Sequence, residues 1–306
     1  MSASALAERQ GSGVRLFDKE GAAVWLLLGP CVLYLLAFAI YPLVYSLSLS
    51  FTNLTAADAT GVWIGLNNYR DLILDPLFWN ATMNSAIMVV ASVALQVILG
   101  TALAMFFNLH LKGSWIVRGI LVLPTLLTPI IVGVMWRALL NPDWGLINWV
   151  IAQFGIEPPN WLGTTEWAMP TLVIVDVWQW TPFVFIIVFA RLQALPQDVF
   201  EAAQVEGAGP FTTFRYITLP MLMPAIVFAA VFRAVDAFRS FDLIYGLSYG
   251  GPARSTTTLS FFSFQNGFQF QNYGYAAAVA YMMLVILVIG TTVLLRYVQL
   301  RPGHAQ

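Results

Sequence analysis

Charged residues are scarce in this sequence of 306 residues. Only 9% of the residues are charged, whereas an average soluble domain carries about 25%. The 14 Lys and Arg nearly balance the 15 Asp and Glu, which leaves a formal net charge of −1. Because neither sign is in excess, the sequence lacks the basic surface that nucleic acids require. The 59% apolar content instead indicates that the partner of this chain is a lipid bilayer.

Cysteine and histidine are nearly absent. The single cysteine, Cys31, excludes an intrachain disulfide, a cysteine-based zinc site and an iron–sulfur cluster. The histidines, His110 and His304, flank apolar segments, which argues against a histidine metal centre or a histidine relay inside the membrane. We therefore predict no metal and no catalytic residue, since an intramembrane enzyme would need a metal or a nucleophile with its base.

Lysine is equally rare, and its sequence context excludes one class of nucleotide site. Lys19 is followed by Glu20, and Lys112 is followed by Gly113. A Walker A motif requires Lys followed by Ser or Thr. The chain is therefore not expected to bind ATP through a P-loop, and no cofactor is predicted within it.

Long apolar runs dominate the rest of the sequence. A transmembrane helix needs about 20 predominantly apolar residues. Six runs qualify, at residues 22–51, 84–109, 115–140, 169–192, 222–247 and 274–298. The sequence therefore predicts an all-α, polytopic membrane protein with six transmembrane helices. Its transmembrane domain spans residues 22–298, between an N-terminal segment (1–21) and a tail (299–306), and the first run is predicted to be a retained signal anchor.

The distribution of Lys and Arg predicts the orientation. With the N-terminus inside, the inner segments hold nine basic residues, whereas the outer segments hold only Arg70 and Arg254. Positive residues favour the cytoplasmic side, so both termini are expected in the cytoplasm. The outer segments 52–83 and 141–168 are rich in aromatic residues and are predicted to form short interfacial helices.

The most specific pattern lies between the fourth and fifth runs, in a loop that this orientation places in the cytoplasm. Asp198 is expected to cap a helix whose third residue is Glu201 and which ends at Gly207. Pro210 should open a second helix that stops before Pro220. The small residues that would allow close approach by another protein are Ala202, Ala203 and Ala208. The loop therefore suits docking into a groove of a cytoplasmic protein, although the same caps fit an ordinary connector.

This loop resembles the EAA motif of binding-protein-dependent ABC importer permeases in residue identity and in spacing. The matching positions are Glu201-Ala202-Ala203, Gly207-Ala208, Phe214, Ile217, Leu219-Pro220 and Pro224. Other positions resemble the carbohydrate branch of that family, in particular the first permease subunit of maltose-, trehalose- and glycerol-phosphate-type importers. They include Trp178, Thr181-Pro182, Phe232-Arg233, Asp236-Ala237-Phe238, Phe241-Asp242, Tyr245, Gly250-Gly251-Pro252 and Gly274-Tyr275-Ala276.

The resemblance implies a type I ABC importer permease fold in the bacterial inner membrane, with a coupling loop at residues 193–221. In that family the loop contacts an ATPase, so the implied coupling residues are Glu201, Ala202, Ala203, Gly207 and Ala208. It also implies a second permease subunit, a cytoplasmic ATPase dimer that binds ATP and Mg, and an extracytoplasmic substrate-binding protein. The chain would form one half of a pathway for a sugar or polyol.

Four charges of alternating sign fall within the fifth run at three-residue spacing: Arg233, Asp236, Arg239 and Asp242. Ionisable groups inside a membrane are costly and usually face the protein interior or a cavity. If the run is one helix, each three-residue step rotates by about 300°, so the charges follow a spiral in which neighbours can pair. The helical rise puts Arg233 near the middle of the membrane.

In the fourth run, Asp176, Gln179 and Trp180 share one helical face. Asp176 is expected at a depth where it can pair with either arginine of the fifth run. Carboxylate and guanidinium groups can bind hydroxyls, and an indole ring suits the C–H face of a pyranose. These three residues, the four charges of the fifth run and Tyr245 are therefore candidates for a substrate pathway or gate. A purely structural charge network is the open alternative.

Prolines in the third and fourth runs, Pro124, Pro129 and Pro182, predict kinks or breaks. Broken helices often border transport sites. The alternative function is a self-sufficient secondary transporter or channel that uses the membrane-embedded Asp and Arg residues as an ion relay. Six spans suffice for that function, but it does not explain the EAA spacing.

Overall fold

The structure, a computed structural model, describes residues 19–58, 60–109 and 113–299. Most of the predicted N-terminal segment and tail lies outside these residues. The predicted all-α class is confirmed. The helices are α1 (Lys19–Leu35), α2 (Tyr41–Ser50), α3 (Asn67–Leu74), α4 (Pro76–Phe107), α5 (Ser114–Val122), α6 (Pro129–Leu139), α7 (Leu146–Gln153), α8 (Thr165–Gln193), α9 (Gln197–Val205), α10 (Pro210–Thr213), α11 (Leu219–Phe238), α12 (Asp242–Leu247), α13 (Leu259–Phe264) and α14 (Tyr273–Gln299).

Helical segments long and apolar enough to cross a membrane match the predicted runs. They are Trp25–Ser50, Pro76–Phe107, Thr165–Gln193, Pro210–Phe238 and Tyr273–Val293. A further pair, Ser114–Leu126 and Pro129–Leu139, is together also long and apolar enough, but it is bent by 100° at its break. The described chain therefore has six spans when this bent pair counts as one.

The break in the third span follows from its prolines. Pro124 lies in a 3-10 turn, Leu123–Leu126, and the next two residues, Leu127 and Thr128, are extended before Pro129 opens α6. A residue before proline is driven out of the helical region because the proline ring clashes with its backbone. The predicted interruption of this span is confirmed. Pro182, by contrast, lies inside the uninterrupted α8, so the break predicted there as one alternative is absent.

The fifth run is not one helix through residue 247, and this prediction was wrong. α11 ends at Phe238, where the N–H of Arg239 bonds to the carbonyl of Asp236 and the N–H of Ser240 bonds to the carbonyl of Ala237. These i→i−3 bonds tighten and end the helix. Residues 242–247 form the separate helix α12. Apolar residues continue through the whole run, but hydropathy alone does not show where a helix ends and the chain turns.

Close packing against α6 holds α12 in its separate position. A Cβ atom on Gly246 would lie 2.7 Å from the carbonyl oxygen of Ile130, and one on Gly133 would lie 2.8 Å from the backbone nitrogen of Leu247. Arg137 adds a hydrogen bond from its Nε to the Leu247 carbonyl, at 2.7 Å. This bond satisfies a carbonyl at the helix end that would otherwise lack a partner.

The core is built around α8. In the most apolar 18-residue stretch of α8, 61% of the residues are buried, whereas none is buried in the corresponding stretch of Trp25–Ser50. α8 lies directly against α4, where a Cβ on Gly100 would come within 2.8 Å of the Val184 side chain. α11 packs on both helices through an apolar cluster that includes Leu222 and Ala229. These three helices therefore surround the buried charges of the fourth and fifth spans, Asp176 and Arg233.

Candidate translocation and coupling sites

A buried ion pair joins the fourth and fifth spans. Nη2 of Arg233 lies 3.2 Å from both carboxylate oxygens of Asp176. Arg233 is 0% exposed and Asp176 is 2% exposed. Removing two charges from water costs several kcal/mol per ion, so such a pair needs further hydrogen bonds around it. Of the two arginines that the sequence offered to Asp176, the structure selects Arg233.

Gln96 supplies those hydrogen bonds from the second span. Its Nε2 donates to Asp176 Oδ2 at 2.8 Å, and its Oε1 accepts from Arg233 Nε at 3.0 Å. Gln96 is fully buried. The side chains of Gln96, Asp176 and Arg233, which we call the polar centre, therefore tie α4, α8 and α11 together.

The sequence analysis missed Gln96, although a signal was present. Asn84, Ser92, Gln96 and Gly100 are spaced by multiples of four residues in the second run and are all buried. Polar and small residues repeated at helical spacing in an otherwise apolar run indicate a face that contacts protein rather than lipid.

Arg233 also contacts two side chains, Asp236 and Trp180, at the more open side of the polar centre. It forms an ion pair with Asp236, whose side chain is 48% exposed. Its guanidinium lies 4.5 Å from the centroid of the Trp180 ring, in a cation–π contact. One buried arginine thus orients a half-exposed carboxylate and a half-buried indole ring.

Aromatic rings continue from Trp180 along the same side. Trp180 meets Phe183 at a centroid distance of 6.4 Å, and Phe183 stacks on Phe232 at 5.0 Å. Phe228 follows at 6.5 Å from Phe232. Phe228 and Phe232 are 61% and 50% exposed. We call these four residues the aromatic row; Trp180 at its start and Asp236 both contact Arg233, and the row ends on an open face of α11.

The other predicted pathway residues do not join this group. Gln179 is buried and donates to the Leu127 carbonyl at 2.9 Å, where it supports the break in the third span. Arg239 is exposed at the end of α11, and Asp242 is exposed at the start of α12. The predicted series of neighbouring charge pairs is therefore wrong beyond Asp236, because the helix that would align them ends. Among the described residues, the ion pairs are those of Arg233.

Tyr245 lies on α12 in a cluster of aromatic rings. Its ring is 5.5 Å from Phe241, 5.1 Å from Tyr249 and 5.7 Å from Phe264. The side chain is half-buried. These ring contacts give Tyr245 a role in packing α12.

The EAA loop forms a helix with a glycine-ended turn. α9 ends at Val205, and Gly207 has a φ of +78°, as the sequence predicts. The N–H of Ala208 bonds to the Ala203 carbonyl at 2.9 Å, and the N–H of Gly207 bonds to the Gln204 carbonyl at 3.0 Å. This bonding pattern is a Schellman motif, in which glycine adopts the left-handed conformation without steric cost.

Two details of the predicted loop were wrong. Pro196, in an extended conformation, is the residue before α9, and no side chain caps the helix; Asp198 is its second residue and Glu201 its fifth. The second helix begins at Pro210 as predicted, but it does not stop before Pro220. It continues into α11 through a π turn, Phe214–Thr218. The wider π turn makes room for the proline ring, which would clash in an α-helix.

The loop presents a mixed surface to its surroundings. Glu201, Ala202 and Gly207 are exposed, Ala208 is half-buried and Ala203 is buried. Ala203 therefore contributes to packing and not to the outer surface that the sequence suggested. Apolar side chains flank the exposed motif residues, since Val205 is 89% exposed and Phe211 is 78% exposed. Such an exposed apolar patch beside polar residues is typical of a protein interface.

Two cavities stand out in the described chain. One, of about 1310 Å³, lies between α4, α5 and α8; the other, of about 500 Å³, lies between α2, α13 and α14. Neither is lined by Asp236, Arg239 or Trp180. In the part of the chain that the structure describes, no group of three His, Cys, Asp or Glu residues is placed to hold a metal.

Comparison with known proteins identifies the family. A family model described as "Binding-protein-dependent transport system inner membrane component" matches residues 96–301. The chain belongs to this family. The matched region includes Gln96, Asp176 and Arg233 as well as the whole EAA loop. The protein is therefore an inner-membrane component of a transport system, as the resemblance of its EAA motif implied.

Individual relatives align over most of their length. The trehalose/maltose transport system permease protein MalF of Thermococcus litoralis is 35% identical over 282 residues, which cover 92% of this chain and 95% of the relative. The sulfoquinovosyl glycerol transport system permease protein SmoG of Agrobacterium fabrum is 32% identical, with 90% and 89% covered. The trehalose transport system permease protein SugA of Mycobacterium tuberculosis is 30% identical, with 97% and 92% covered.

The fold is shared with a solved transporter. A chain in the crystal structure of a bacterial ABC transporter involved in the import of the acidic polysaccharide alginate superposes with a TM-score of 0.82. The alignment covers 93% of this chain and 98% of that chain at 22% identity. The predicted importer permease fold is thereby confirmed.

Proposed function

We propose that this chain is the first permease subunit of an ATP-driven importer for a sugar or related polyol, and that it forms one half of the translocation pathway. The aromatic row beside Asp236 is the observation that carries the substrate class. Aromatic faces stack on the C–H faces of sugar rings, and a carboxylate accepts hydrogen bonds from hydroxyls. The names of the relatives from Thermococcus, Agrobacterium and Mycobacterium support a glycoside or sugar substrate.

The pathway role belongs to the open side of the polar centre. Trp180 and Asp236 would contact substrate. Arg233 would position both side chains, and Gln96 and Asp176 would in turn position Arg233. Phe228 and Phe232 are exposed, and a second permease subunit would close the pathway over them. The family's dependence on a binding protein supports an extracytoplasmic protein that delivers the substrate.

The buried ion pair disfavours an ion relay as the alternative function. Asp176 accepts hydrogen bonds from both Gln96 and Arg233, so the permanently charged guanidinium holds it in place. A relay carboxylate must instead release and rebind its ion or proton. The chain would therefore obtain its energy from separate ATPase subunits that hold ATP and Mg.

The EAA loop would transmit that energy. α9 is a short helix that could bind in a cleft on an ATPase. It exposes Glu201 and Ala202 and ends in a Schellman turn. Gly207 and Ala208 would keep the turn narrow enough to enter the cleft. This role requires the loop and both chain termini to lie in the cytoplasm, as the excess of inner Lys and Arg supports.

Uptake by proteoliposomes tests the proposed function. The complete transporter, assembled from this chain with its partner permease, ATPase and binding protein, is expected to accumulate radiolabelled maltose or trehalose only with ATP and binding protein. The Trp180→Ala variant should assemble normally but transport more slowly, because it loses a stacking face. Uptake driven by a proton gradient without ATP would contradict the proposal.

Cysteine labelling tests the sidedness. Thr60 and Gln204 are both exposed, and Cys31→Ser removes the exposed natural cysteine. In intact cells a membrane-impermeant maleimide should label Thr60→Cys, whereas Gln204→Cys should react only after permeabilisation. The reverse pattern would exclude both the orientation and the docking of an ATPase on the loop.

A further inference from the structure

The larger cavity is an apolar groove that opens sideways from the helix bundle. Its volume is about 1310 Å³, and α4, α5 and α8 form its walls. Leu99, Phe106, Ile120 and Leu126, which line it, are each at least 44% exposed. The groove exists because the third span breaks after Leu126 and bends away by 100°. At membrane depth, such a groove faces the hydrocarbon of the bilayer.

The dimensions of the groove match one leaflet. Its wall on α4 runs from Leu95 to Phe106, which corresponds to about 16 Å at about 1.5 Å per residue. Half of the hydrocarbon core of a bilayer is about 15 Å thick. The groove is therefore as long as the acyl region of a single leaflet and does not cross the whole membrane.

A basic residue stands at one end of the groove. Arg118 lies on α5 one turn before Leu121 of the groove wall, and its guanidinium covers the Phe189 ring of α8 at 5.1 Å. Its Nε and Nη2 donate to Ser114, which leaves Nη1 without a hydrogen bond among the described residues. Within those residues, no carboxylate lies within ion-pair distance of Arg118.

The surroundings of Arg118 mark it as the headgroup end. Trp115, one turn earlier, is 71% exposed, and exposed tryptophan favours the headgroup region of a membrane. Basic pockets between transmembrane helices on the cytoplasmic side bind anionic lipid headgroups. An anionic headgroup at Arg118 would place its acyl chain along the groove.

We propose that this groove binds an anionic phospholipid, with the phosphate at Arg118 and an acyl chain between α4, α5 and α8. Charge decides between a lipid and a helix from another chain. Polypeptide segments at the cytoplasmic surface are enriched in Lys and Arg, which Arg118 would repel. Anionic phospholipids carry the complementary charge at the same depth. The inference is independent of which substrate the transporter carries.

Native mass spectrometry of the intact purified transporter tests the proposal, with dioleoyl-phosphatidylglycerol and dioleoyl-phosphatidylcholine as probes. We expect phosphatidylglycerol to bind preferentially, and Arg118→Gln to weaken its binding about fivefold, since one basic residue near the surface contributes about 1 kcal/mol. Ala102→Trp should weaken binding by narrowing the groove. The matched controls are Arg296→Gln, an exposed arginine in the last turn of α14, and Val90→Trp, an exposed position of α4 outside the groove; both should bind normally.

Three results would overturn the proposal. Equal binding of the two lipids, or unchanged binding by Arg118→Gln, would show that the headgroup is not recognised. A photo-crosslinking amino acid at Ala102 that captures another polypeptide of the transporter, and not phosphatidylglycerol, would identify the groove as a protein interface. Capture of the lipid would support the proposal even if Ala102→Trp failed to assemble.

Discussion

The polar centre and the EAA loop both contain charged side chains, but these are buried in the polar centre and exposed in the loop. Arg233 and Asp176 are buried, and each depends on the other for compensation of its charge. Glu201 is exposed, and within the described residues it forms no ion pair. Charge at the first site is therefore tied to the stability of the helix bundle, whereas charge at the second is available to another protein. Substitutions should consequently separate the two: the first should affect folding most, and the second only the assembled machine.

The largest effect on stability is expected for Arg233→Leu. This substitution leaves Asp176 buried and without its cation, which costs about 3–5 kcal/mol. Thermal unfolding and membrane expression of the purified transporter would measure the loss. Arg239→Leu is the matched control, because Arg239 is an exposed arginine at the end of the same helix, and it should change stability little.

A double substitution sharpens this test. Replacing both partners, as in Asp176→Leu with Arg233→Leu, removes the buried charges together and should recover part of the stability lost in either single variant. Losses that simply add in the double variant would show that the two side chains do not form an energetic pair.

A smaller loss is expected for Gln96→Leu. The substitution removes hydrogen bonds to Asp176 and Arg233 but leaves the ion pair intact, so the cost should be about 1–3 kcal/mol. Gln193→Leu provides the control, since Gln193 is an exposed glutamine whose replacement should have little effect. If the two variants unfold at the same temperature, Gln96 does not support the polar centre.

Much of the fold was predictable because helices that span a membrane require long apolar runs, which are visible in the sequence. The all-α class, the positions of the spans and the break near Pro129 all follow from hydropathy and proline geometry. The end of α11 at Phe238 was not predictable in this way. Leu243, Ile244 and Leu247 are as apolar as the preceding helix, and the turn depends on the contact between Gly133 and Gly246, which lie far apart in sequence.

The candidate sites were predictable to different degrees. The EAA loop is local in sequence, so its turn at Gly207 and the start of the second helix at Pro210 could be predicted from cap chemistry, although the cap predicted at Asp198 was wrong. The polar centre joins three spans, and spacing within a single helix could suggest Asp176 and Arg233 but could not choose between Arg233 and Arg239. Gln96 required knowledge of which face of α4 meets α8.

A modest effect is expected for Gly207→Ala. Open space surrounds the position, so the added Cβ meets no atom, but a φ of +78° costs an L-residue about 1–2 kcal/mol. Gly209 is the matched control, because it also has open space but a φ of −72°. Hydrogen exchange of the loop should increase for Gly207→Ala and stay unchanged for Gly209→Ala. Equal exchange in both variants would contradict the role assigned to the left-handed turn.

The most direct test of the account is Glu201→Lys in the complete transporter reconstituted in proteoliposomes. Exposed substitutions usually change stability by less than about 0.5 kcal/mol, so this variant should assemble and unfold like the original protein. Asp198→Lys, with the same charge change on the same exposed helix, is the control. We expect Glu201→Lys to lose substrate-stimulated ATP hydrolysis and uptake while Asp198→Lys retains both. Normal hydrolysis and uptake by Glu201→Lys would contradict the proposal that this loop couples the permease to an ATPase.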